Sequence, residues 1–158
     1  MPAGVRTEGP FPVMALVDLD GQPHPLASSW RGGEALFVIG HGECRTTLEV
    51  IPFAERIHRR KTRGAVVLVL QDDAEAAVRL ATGHGLTLPV RLEPDPYPLA
   101  RGLSLEAVPA LVLVSTAGRI EDASVGFRRT DLEAFAERLG VLGPLFGPGD
   151  SAPAFRPG

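Results

Sequence analysis

One cysteine, Cys44, lies in the stretch GHGECRTTLE (40–49), and it is the side chain best suited to nucleophilic chemistry. A thiol attacks as its thiolate, which a helix N-terminus favours through unpaired N–H groups and the helix dipole. Cys44 follows the apolar run ALFVI and opens a segment of helical spacing, so the dipole would point at its sulfur. Thr47, three residues on, falls in the first helical turn and could aim its hydroxyl at that sulfur. Thr46 is a second candidate for the same contact. His41, three residues before the cysteine, could donate a proton or hold charge. Glu43 works the other way, because an adjacent carboxylate disfavours a second anion. The competing reading is structural. A free cysteine is often a small buried hydrophobe, Thr47 an ordinary first-turn residue and His41 an ordinary loop residue.

Those residues need elements to hold them. EALFVIG (34–40) is a continuous apolar run, the pattern of a strand buried on both faces. CRTTLEVIPFAERIHRRK (44–61) carries apolar residues at helical spacing around Pro52, which predicts one kinked helix. GAVVLVL (64–70) and PALVLVST (109–116) are two further buried strands, and LPVRLEP (88–94) is a short one. DDAEAAVRLATGHG (72–85) reads as a helix with acidic residues in its first turn. TDLEAFAERLG (130–140) reads as a helix capped by Thr130 or Asp131 and stopped by Gly140. PVMALVDL (12–19) is a strand leading to an Asp20-Gly21 turn, YPLARGLSL (97–105) a short helix or turn, and EDASVGF (121–127) follows the turn AGRI. Strands alternating with helices imply an α/β domain with helices on both faces of a mostly parallel core.

Composition narrows the function classes. The chain has 158 residues, 44% of them hydrophobic and 22% charged, the make-up of one globular domain with an adequate core. A net charge of -3 gives no reason to expect nucleic acid or an anionic membrane as partner. A single cysteine excludes an internal disulfide and a cysteine-based zinc site, and His24, His58 and His84 are too scattered for a metal set. No cofactor and no metal are expected. IHRRKTR (57–63) could bind a phosphate or glutathione, but cations at a helix C-terminus more often favour the dipole and stay solvated. The N-terminus MPAGVRTEGPFPVMALVDLDG lacks the apolar core of a secretory leader, so the expected location is the cytoplasm.

The order of these features resembles the thioredoxin fold, and more closely its redoxin branch of thiol-disulfide oxidoreductases, peroxiredoxins and glutathione peroxidases. The shared sequence of features is strand, loop, Cys44 at a helix start, Pro52 eight residues later, then AVPALVLVSTAGRI. Val108-Pro109 occupies the position of that branch's cis proline, which shapes the substrate groove, and VDLDGQPHPL resembles its N-terminal hairpin. The resemblance spans roughly residues 8–140. It implies a central mixed sheet of about five strands flanked by about four helices. The departures are as informative. The second cysteine of the oxidoreductases' Cys-x-x-Cys is replaced by Thr47, so no internal disulfide can form. Glu43 stands in place of the usual tryptophan, and the peroxiredoxin Pro-x-x-x-Thr/Ser-x-x-Cys positions hold Phe37 and His41. CRTT echoes the glutathione peroxidase Cys-Gly-x-Thr, with Gln71 a stand-in for the glutamine of that family, although its Trp-Asn-Phe segment is missing.

The expected organisation is a redoxin domain over 1–142 and a Gly/Pro-rich tail over 143–158. Within the tail, GDSAPAF (149–155) resembles the start of another redoxin domain, either a remnant of a lost module or a segment that docks on this body or a neighbour's. The expected function is a monothiol redox protein in which Cys44 reduces a peroxide or disulfide and an external thiol, small or protein-borne, resolves it. Thr47 would bond the sulfur, His41 would assist proton transfer, and Val108 and Pro109 would line the groove. A homodimer is left open. The alternative is a redox-inactive thioredoxin-fold module used for binding or assembly.

Overall fold

The computed structural model describes residues 4–158. Residues 1–3, which open the stretch read for a leader, lie outside the described residues. Three apolar runs form the centre: β3 (Ala35–Gly40), β4 (Ala65–Leu70) and β6 (Ala110–Val114). β3 pairs in parallel with β4 and antiparallel with β6. Each run is apolar throughout because both sheet faces are covered. Leu36, Val38, Leu68 and Leu111 point into one core, while Phe37, Ile39, Val69 and Val112 point into the other.

The first core lies under α1 (Arg45–Arg60), α2 (Ala74–Gly83) and α4 (Arg129–Arg138). The second lies under α3 (Pro98–Gly102), the 3-10 turn Leu26–Trp30 and the N-terminal arm, where Phe11 stacks on Phe37 at 4.6 Å. α1 continues through Pro52 as one helix.

Among the described residues seven strands, not about five, make the main sheet. Its order is β2-β1-β5-β4-β3-β6-β7, with β1 (Ala15–Val17), β2 (Pro23–Pro25), β5 (Val90–Leu92) and β7 (Ile120–Val125) completing it. One of the additional strands, β2, belongs to an N-terminal hairpin whose two strands are three residues each, too short for a period to register. Its turn is set by Asp18, whose Oδ1 accepts from the N–H groups of Asp20 and Gln22 at 2.9 Å each.

A separate two-stranded ladder joins β8 (Phe127–Arg128) to β9 (Phe155–Arg156) in the Gly/Pro-rich C-terminal segment. That segment packs on the domain from its root. Leu145 and Phe146 are buried, and Phe146 lies 4.5 Å from Phe53 of α1. Asp150 forms a bidentate pair with Arg56 at 2.7 and 3.1 Å. α4 begins at Arg129, earlier than the Thr130 or Asp131 cap expected, and no side chain caps it. The C-terminal segment supplies the missing acceptor: the Arg129 N–H donates to the Ala154 carbonyl at 3.0 Å.

Candidate active site

β3 ends at Gly40 because the chain there must pass directly against α1. A Cβ at Gly40 would overlap the Thr47 methyl and stand 2.8 Å from its hydroxyl oxygen. This contact fixes the junction that carries Cys44. Cys44 is the N-cap residue of α1 in extended conformation; its carbonyl accepts from the Leu48 N–H at 3.1 Å, and its side chain makes no capping bond. No acidic residue lies in the first turn of α1, so the positive end of the helix is not neutralised there. The half-buried thiol donates to the Val108 carbonyl oxygen at 3.6 Å. The next peptide bond, Val108–Pro109, is cis.

The other expected residues fall around this point in different roles. Thr47 is fully buried, and its hydroxyl accepts from the His41 N–H at 3.3 Å. The Thr47 hydroxyl therefore serves the loop and not the sulfur. Thr46, also buried, donates its hydroxyl to the Pro157 carbonyl at 2.7 Å. His41 accepts from the Glu43 N–H through Nδ1 at 3.1 Å, which leaves Nε2 as the protonated nitrogen of the neutral ring. The same Nδ1 stands 3.8 Å from Asp72 Oδ2. Gln71 donates Nε2 to Glu93 Oε2 at 3.1 Å, so its amide is engaged away from the cysteine.

Two buried carboxylates that hold the site were not singled out from the sequence. Asp72 accepts the Gly42 N–H at 2.9 and 3.1 Å and pins the loop before Cys44. The pair Asp72-Asp73 reads as two acidic first-turn residues, but only Asp73 caps α2, through the Ala76 N–H at 2.8 Å. Glu93, with no exposed surface, accepts from the Leu99 N–H, from the Ala100 N–H at 2.9 Å and from Gln71. A charged residue placed directly after the alternation of VRL was its only sequence signal.

Shallow hollows open on either side of Gln71. One, of about 420 Å³, is walled by His41, Gly42, Asp72 and Arg79; the other, of about 330 Å³, by Tyr97, Arg101 and Val108. Small molecules therefore have room to approach the loops on both sides of the cysteine.

A central β3–β4–β6 core, a cysteine at the N-cap of the helix after β3 and a cis proline at the start of β6 define a thioredoxin-fold protein. Solved structures agree. The chain is similar to a Chlorobium tepidum protein described as the thiol:disulfide interchange protein DsbE, with a TM-score of 0.75, 20% identity and coverage of 88% of this chain and 99% of that one. A thiol:disulfide interchange protein from a Bacteroides species matches at a TM-score of 0.73 and 16% identity over 89% and 93% of the two chains. The thioredoxin domain of a Bacteroides vulgatus thiol-disulfide oxidoreductase matches at 0.73 and 16% over 87% and 96%. No protein-family model and no curated protein matches the sequence. At these identities the likeness establishes the fold.

Proposed function

We propose that the protein is a monothiol redox protein whose nucleophile is the Cys44 thiolate. The observation that carries this reading is the half-exposed sulfur at the N-cap of α1, facing the Val108 carbonyl beside Pro109. With a disulfide substrate, the Cys44 sulfur attacks one sulfur atom, the S–S bond breaks, and the second sulfur leaves as a thiolate. The Cys44 mixed disulfide is then cleaved by an external thiolate, which takes over the bond and releases Cys44. With a peroxide, the sulfur takes the terminal oxygen and alcohol or water leaves. An external thiol condenses with the resulting sulfenic acid, releasing water, and a second thiol restores Cys44.

His41 is positioned to offer its Nε2–H as a hydrogen-bond donor to the departing thiolate, Thr47 holds the His41 loop through its buried hydroxyl, and Val108 with Pro109 borders the substrate. Thr47 in the second cysteine position makes the external thiol obligatory, and a glutathione-rich cytoplasm or a partner protein would supply it. The solved neighbours named as thiol:disulfide interchange proteins support the disulfide substrate over the peroxide.

Turnover of glutathione-dependent disulfide reduction, together with intact mass after exposure to glutathione disulfide, tests the reading. The expected result is a single adduct on Cys44 and loss of turnover in Cys44→Ser. A Cys44 that reacts no faster than free cysteine and forms no adduct overturns it. That outcome would favour the redox-silent binding module, a reading to which the absent second thiol lends weight.

A further inference from the structure

The Val108 carbonyl has two neighbours. Cys44 reaches it from one side, and the backbone of Gly158 presses on it from the other: a Cβ added at Gly158 would lie 2.5 Å from that oxygen. Residues 155–158 thus cross the edge next to the cysteine. They start in the β8–β9 ladder, pass the first turn of α1, where Thr46 bonds the Pro157 carbonyl, and end against Val108. The chain's own backbone therefore covers the surface beside Cys44 on its Val108 side.

The hold on this stretch differs from the hold on its root. Phe146 and Leu145 are in the core, and Asp150 is clamped by Arg56. Beyond Ala154 the contacts are chiefly polar: the Phe155 ring lies under the Arg128 guanidinium at 4.5 Å, and the Pro157 carbonyl takes the Thr46 hydroxyl. Phe155 is 49% exposed, Pro157 and Gly158 are exposed, the ladder has two residue pairs, and the Arg156–Glu49 ion pair (2.8 Å) lies at the rim. A segment with few buried apolar contacts opens locally at small free-energy cost, and a rim ion pair is weakened by salt.

We propose that residues 155–158 form a gating strap that closes the Val108 edge of Cys44 to polypeptide disulfides while leaving the thiol open to small ones. The strap opens about its Gly/Pro-rich root, and a protein partner must wait for or displace it. This gating rests on Cys44 acting as the nucleophile proposed above.

Two probes carrying the same thionitrobenzoate leaving group separate the possibilities: one on cysteamine, the other on a single cysteine of an unstructured synthetic peptide. In each, Cys44 attacks the probe's own sulfur, forms a mixed disulfide and expels coloured thionitrobenzoate. With the strap closed about nine-tenths of the time, removing residues 155–158 raises the peptide-probe rate about tenfold, and the cysteamine rate stays within about twofold. Arg156→Gln in the full-length chain moves the peptide rate the same way, as does added salt. A peptide rate that neither variant changes overturns the strap. If Cys44 of every form ignores both probes, the thiol reading falls, and amide exchange decides the strap alone. The Phe155 and Arg156 amides should exchange at least about a hundredfold faster than those of β3, and exchange as slow as in β3 overturns it.

Discussion

Cys44 stands between two walls built in different ways. On the His41 side the wall belongs to the fold itself: Gly40 lets Thr47 come close, Thr47 holds the His41 amide, and buried Asp72 holds the Gly42 amide. On the Val108 side a cis proline loop is overlaid by residues 155–158, which also reach Thr46 across 111 positions. The first wall cannot move without disturbing β3 and α1. The second is in two parts, a root in the core and a strap on the rim. The contrast separates what positions the thiol from what controls access to it.

The sharpest way to break that contrast is at the root. Phe146 packs in a cluster with Phe53 and Phe127 and lies under Arg129 at 4.3 Å. Phe146→Ala should cost about 3 kcal/mol, seen as a melting temperature roughly 6–12 °C lower. A loss below about 1 kcal/mol would mean that the root is as peripheral as the strap, and the two-part description would fail. The fixed wall comes next. Gly40→Ala drives a methyl into Thr47 where both are buried, an overpacking expected to cost about 2 kcal/mol. It should also change the chemical shifts of the His41 and Cys44 amides while leaving Phe155 and Arg156 unmoved. Equal perturbation at both places would show that the walls are coupled.

The fixed wall was also the more legible one. The runs at 34–40, 64–70 and 109–116 lie within a residue or two of β3, β4 and β6, and Cys44 sits at the predicted helix start. Sequence periodicity reports burial on both faces of a strand, and those three strands are buried on both. The wall formed by the strap left only the GDSAPAF motif (149–155), which allowed a remnant of a lost module or a segment docked on this body or a neighbour's. Its contacts join residues 107 and 111 positions apart, through one Arg–Glu pair and one threonine hydroxyl, and no local pattern encodes them. The same distance explains the helix cap. Thr130 and Asp131 look like caps, but the donor at Arg129 is satisfied by a carbonyl from the C-terminal segment. Thr47 was legible as a first-turn residue near the sulfur, although its acceptor role toward the His41 amide depends on how closely β3 approaches α1.

The smallest expected effect concerns the clasp between root and strap, and it depends on pH. The hydrogen bond from Arg56 to Asp150, helped by the Gly147 N–H, holds the Asp150 carboxyl at about 2, below its ordinary 3.8. A carboxyl whose pKa is lowered by folding stabilises the folded form above its unfolded value and loses that contribution on protonation. The clasp is therefore fully effective above about pH 4 and fades as pH falls toward 2. Glu55 on α1 titrates in an overlapping window. Burial raises its pKa, but hydrogen bonds from Thr87, Arg59 and Leu88 prevail and hold it at about 2. An acid melting curve alone would mix the two groups. Asp150→Asn separates them, because the Glu55 contribution is common to both chains. The melting-temperature difference between wild type and Asp150→Asn should be constant from neutral pH to about pH 4 and shrink toward pH 2. At neutral pH the variant should also speed amide exchange in the strap while leaving the Gly42 amide as protected as before. A Gly42 amide that loosens with the strap would show that the two walls answer to one clasp.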